Sequence, residues 1–128
     1  MKYYFSKITD LSFDEAVKKA ENELSKEGFG ILTRIDVAET FKKKINKDFR
    51  RYQILGACNP EFAFKALSAE DKIGTMLPCN VIVQEAEEGK TEVAAVDPVV
   101  SMSGVENSGL EEIASMVRQR LEKVIENI

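Results

Sequence analysis

Cys79-Asn80-Val81-Ile82-Val83-Gln84, then Glu87-Glu88-Gly89-Lys90, then Thr91-Glu92-Val93-Ala94-Ala95-Val96, reads as strand, turn, strand. Side chains in a strand alternate between faces. Cys79, Val81 and Val83 therefore share one side, and Asn80, Ile82 and Gln84 the other. So short a turn joins only antiparallel neighbours, because a parallel pair needs a longer crossover. Asp97-Pro98 stops the second strand, since proline has no amide for the ladder. This hairpin places antiparallel pairing in the sheet.

Upstream, strands alternate with helices. Residues 2–9 are rich in aromatic and β-branched types and predict a first strand. Ser12-Phe13-Asp14-Glu15 is a capping-box pattern, followed by Ala16, Val17, Ala20 and Leu24 at helical spacing. Gly28 fits a helix C-terminus, and Gly28-Phe29-Gly30-Ile31-Leu32-Thr33-Arg34-Ile35 then predicts a strand. The two glycines precede a strand rather than open a helix, so they are no dinucleotide fingerprint. Asp36 to Glu39 is a second capping box before a short helix with Val37, Phe41 and Ile45 on its inner side. Tyr52 to Ala57 predicts a buried strand, and Asn59-Pro60-Glu61 opens a helix whose inner face holds Phe62, Ala63, Ala66 and Leu67. Residues 99–108 carry no clear pattern.

The C-terminal helix has the strongest periodicity: Leu110, Ala114, Val117, Leu121, Val124 and Ile128, widened by Ile113 and Ile125. Such a seam can form a coiled coil, but it is more commonly the face of a helix lying across a sheet. The order β-α-β-α-β-α-β-β-α predicts an α+β domain: a single mixed sheet of about five strands, covered by helices, with a long C-terminal helix. Its 128 residues suit a single domain, 1–128, without linker or repeat.

Composition removes several chemistries. The chain has no histidine, which excludes Ser-His-Asp and Cys-His catalysis within one chain and the zinc patterns built on histidine. No metal site is expected and no cofactor is indicated. A net charge of −4 argues against a nucleic-acid binder. No apolar run reaches the ~20 residues of a membrane span, and the N-terminal residues do not pattern as a secretory signal. With two cysteines read as reduced thiols, a cytoplasmic setting is expected. One stretch opposes the acidic balance: Lys42, Lys43, Lys44, Lys47, Arg50 and Arg51 stand against Asp48 alone. Such a run usually forms a solvated face; as a site, Lys43, Lys47 and Arg50 are its anion-binding candidates.

Two echoes remain, Gly56-Ala57-Cys58-Asn59-Pro60 and Leu77-Pro78-Cys79-Asn80, each a Cys-Asn pair at a strand end beside proline. Buried cysteine is commonly a small hydrophobe, and Asn59 has work as a helix cap. As chemistry, a thiol just before a helix has its pKa lowered by the helix dipole, which favours Cys58 as a nucleophile. Asp36 and Asp97 follow strands, where carboxylates serve as caps and turn formers.

Taken with Gly28 to Val37, Tyr52 to Pro60, Leu77 to Val81 and Asp97-Pro98, the chain resembles the bacterial and archaeal family called domain of unknown function 302. The resemblance implies a compact α+β domain that forms homodimers, and it implies no reaction. It marks Asp36, Cys58, Asn59, Cys79, Asn80 and Asp97 as positions to test. The expected function is a cytosolic homodimeric binding module holding a small ligand or ion near the Cys-Asn segments. The alternatives are a thiol-dependent enzyme using Cys58 and an interaction protein using residues 42–51.

Overall fold

The computed structural model describes residues 2–128. Its elements are β1 (Tyr4–Thr9), α1 (Phe13–Lys26), β2 (Gly30–Asp36), α2 (Val37–Ile45), β3 (Tyr52–Cys58) and α3 (Pro60–Ala69). A 3-10 turn (Asp71–Met76), β4 (Cys79–Glu85), β5 (Thr91–Val96), α4 (Pro98–Ser101) and α5 (Ser108–Glu126) follow. The 3-10 turn and α4 are short additions to the expected order.

The strands form one five-stranded sheet in the order β1-β5-β4-β3-β2. All four pairings are antiparallel, where a mixed sheet was expected. The reason lies in the connections. β1 and β2, joined by α1, run the same way but occupy opposite edges, so they never pair. α2 and α3 each join antiparallel neighbours and act as long hairpin connections. Both arrangements have the same β-α-β signature in sequence.

Local signals set the elements as expected. Ser12 accepts the Glu15 amide while Glu15 Oε1 accepts the Ser12 amide, completing the capping box of α1. Gly28 takes a φ of +85° just past that helix, a conformation that favours glycine. Asp36, Asn59 and Asn107 cap α2, α3 and α5. These caps satisfy amides that the first turn leaves without carbonyl partners.

The pleat sorts the sheet into two unlike faces. Leu55, Ala57, Val81, Val83, Val93 and Ala95 point inward, against Phe13, Ala16, Ala20 and Leu24 of α1 and Val117, Leu121, Val124 and Ile125 of α5. α5 therefore lies across the sheet, as its periodicity predicts. On the same side, Arg34 of β2 ties to Glu21 of α1 at 2.7 Å. A smaller cluster of Ala66, Ile73 and Leu110 joins α3, the 3-10 turn and α5. The outer face holds a shallow trough of about 430 Å³ lined by Tyr3, strand residues such as Asn80, Ile82, Gln84 and Ala94, and no helix residue.

Candidate functional site

Alternate strands of an antiparallel sheet end at the same edge. β3 and β5 therefore finish where β4 begins. Ala57 and Cys79 are register partners, so Cys58, next in the chain, lies beside the start of β4. α3 leaves this edge and α5 passes it. Cys58, Asn59 and Cys79 line one hollow there, with Phe29, Phe62, Leu77, Pro98, Met102 and Val117 among its walls. The surface it exposes is apolar; the free space is about 40 Å³, within an open depression of about 440 Å³.

Asn59 is buried and its amide is committed. Its Oδ1 accepts the Phe62 amide at 3.4 Å, and its Nδ2 donates to the Glu27 carbonyl at 3.5 Å. Arg120 Nη1 donates to the same carbonyl at 3.0 Å. A side chain at Gly28 would place Cβ 2.9 Å from Asn59 Nδ2, so glycine there also makes room for the cap. Asn59 thus joins the end of α1 to the start of α3. Its role is positional.

Both thiols are held protonated. Burial pushes Cys58 above its ordinary value. Burial first, and the neighbouring Cys58 second, push Cys79 up to about 11. The expected helix-dipole activation of Cys58 is not what the site provides. The Asn59 side chain already serves the first turn of α3, and the apolar wall disfavours a thiolate.

The other candidates lie elsewhere. Asp97 flanks the hollow, but its carboxylate turns to the helices: Oδ1 accepts the Val99 amide at 3.0 Å and Oδ2 pairs with Arg118 Nε at 3.3 Å. Asn80 is exposed and belongs to the outer face. Asp36 caps α2 by accepting the Glu39 amide at 2.9 Å. It stands six residues along β2 from Gly30, the partner of Cys58, which is roughly 20 Å of strand. Among the described residues, no group of three or more cysteine, aspartate or glutamate side chains is placed to hold a metal ion.

Within the basic stretch, Lys43 pairs with Glu39 at 2.7 Å and Lys42 with Asp48 at 3.2 Å. Arg50 lies over the Phe49 ring at 4.4 Å and donates from Nε to Gln84 Oε1 at 2.8 Å. Lys47 has no ion-pair partner among the described residues. Of the hollow's lining, only Cys58, Asn59 and Cys79 stood out in the sequence as site residues; Phe29, Phe62, Leu77, Pro98, Met102 and Val117 did not. Val117 was visible as part of the α5 stripe, and Met102 falls in the stretch that carried no pattern.

The family model described as Domain of unknown function DUF302 matches residues 5–128. The crystal structure of an uncharacterized conserved protein DUF302 from Bacillus stearothermophilus is similar, with a TM-score of 0.91 and 26% sequence identity. That similarity covers 99% of this chain and 98% of the other. No curated protein matches the chain.

Proposed function

This chain belongs to the DUF302 family, and from that premise we propose that it is a non-enzymatic binding module for the apolar end of a small ligand. The observation that carries the reading is the single apolar hollow shared by Cys58, Asn59 and Cys79. Its size sets the ligand class. Liquid water takes about 30 Å³ per molecule and ligand pockets commonly run to several hundred. A free space of about 40 Å³ therefore accepts a terminal methyl- or ethyl-sized group, while the rest of the ligand sits in the open mouth. Thiols held protonated serve as soft walls there, which supports binding over thiolate chemistry.

The same proposal includes a cytoplasmic homodimer. Two free thiols suit a reducing compartment, and the outer sheet face offers a surface for a second copy.

The test is a thermal-shift series with straight-chain alcohols and carboxylates of two to eight carbons, run with Ala114→Leu, at a further α5 residue of the hollow's wall, as a filled-hollow control. A ligand at 100 times its Kd stabilises the native state by about 2.7 kcal/mol, a shift of several degrees for a chain of this size. The expected result is a shift in the wild type that Ala114→Leu abolishes. Equal shifts in both proteins, or none in either, overturn the reading.

A further inference from the structure

The outer face of the sheet carries more apolar surface than a solvent-facing antiparallel sheet requires. Such a sheet ordinarily alternates apolar-in with polar-out, and strands apolar on both faces are those covered on both. Here the cross-strand register joins Ser6 to Ala94, Ala94 to Ile82, Ile82 to Ile54 and Ile54 to Ile35. An apolar row thus crosses the face from β5 to β2. Asn80 and Gln84 flank it along β4. Ile35 remains 44% exposed, and no helix residue lines the trough above the middle strands. An apolar centre with polar groups around it is the anatomy of a protein interface.

We propose that the outer face is the contact between two copies of this chain, packed sheet to sheet about a two-fold axis running along β4. The proposal rests on the homodimer reading above and specifies its surface. Three features favour a second copy as the occupant. The first is position: β4 is the middle strand of five, so an axis along it lays each apolar row on its counterpart. Area is the second. Five strands of about six residues present roughly 400–500 Å² in projection. Phe49, whose ring lies 6.2 Å from that of Tyr52 in the trough, extends this towards the about 800 Å² per partner of a standard interface.

Charge is the third. α2 and the hairpin tip between β4 and β5 lie at the same end of the sheet, where the Arg51 amide donates to Glu85 Oε1 at 2.8 Å. β2 and β3 lie on one side of β4, and β5 and β1 on the other. Rotation about an axis along β4 exchanges those sides. The lysines of one protomer then stand over Glu87 and Glu88 of its partner. Among the described residues Lys44 and Lys47 have no ion-pair partner within the protomer, so they are free for this contact.

The experiment is sedimentation equilibrium on the full chain at micromolar to 100 µM concentrations, with far-UV circular dichroism on each variant. The wild type is expected at twice the 14.3 kDa chain mass, with Ile82→Lys and Ile35→Lys folded and monomeric. A monomeric wild type overturns both the homodimer reading and this face. A dimeric wild type whose folded variants remain dimers overturns the face and leaves the homodimer standing. Should Ile82→Lys fail to fold, Ile35→Lys at the exposed edge decides alone. Lys47→Glu is expected to weaken the dimer at least tenfold and added Glu88→Lys to restore it; failure to restore overturns the axis along β4.

Discussion

α5 and α2 are both amphipathic by sequence, yet they meet different surroundings. α5 buries Leu110, Ala114, Val117, Leu121, Val124 and Ile125. α2 buries none of its residues, and Ile45 is 59% exposed. Periodicity says that a face is apolar; it does not say what covers it. The two faces of the sheet repeat the lesson, since α1 and α5 cover one and neither covers the other.

The largest way to break this contrast is Leu121→Asp. Leu121 is fully buried between α5 and the sheet, so the change puts an unpaired charge among aliphatic side chains. A loss of about 4 kcal/mol or more is expected in urea denaturation. A loss below about 0.5 kcal/mol would mean that α5 does not rest on this sheet.

Next in size is alkaline pH. The folded state holds the Cys79 thiol at about 11, against an ordinary 9.0, because burial disfavours the thiolate. A raised folded pKa means stability is fully present below about 9 and lost as pH rises towards 11. The two-unit difference corresponds to roughly 2–3 kcal/mol. The urea midpoint of the wild type should therefore fall over that window more than that of Cys79→Ala. Parallel pH profiles would place the thiol in water.

How much of this was legible in sequence follows from the parity of the sheet. Strand and helix periods, the Ser12 capping box and the α5 stripe were readable because each depends on neighbours within one turn or pleat. Strand order was not, since α1 spans the sheet edge to edge while α2 and α3 join neighbours, and all three read as β-α-β. The same gap misplaces Asp36. A carboxylate after a strand looks alike after β2 and β5, but those strands end at opposite edges. Cys58 and Cys79 came together because antiparallel neighbours put the end of β3 beside the start of β4. The hollow's remaining walls come from α3 to α5, whose packing no local pattern encodes.

Gly56 sharpens the contrast between the two ends of β3. On the outer face near the hollow, Thr33 Oγ1 and Pro78 close over it; an added Cβ would clash with the hydroxyl and lie 2.9 Å from Pro78 Cγ. Gly56→Ala should cost about 1–3 kcal/mol by overpacking, and added Thr33→Ala should recover part of it. Stability unchanged in the single variant would show that this corner is loose. At the opposite end of the strand, near α2, no comparable crowding is expected.

The smallest effect belongs to α2 itself. Ile45→Ala removes an exposed side chain from the last position of the helix, where alanine has the better intrinsic propensity. At concentrations low enough for monomer, the change in unfolding free energy should stay within about 0.5 kcal/mol, with its sign towards stabilisation. A loss above about 1 kcal/mol at such dilution would show that α2 packs within one chain, and the contrast with α5 would fail. A loss that appears only as concentration rises would instead place Ile45 in the contact between copies. The concentration dependence therefore separates a helix without a core from one whose apolar side is supplied by a partner.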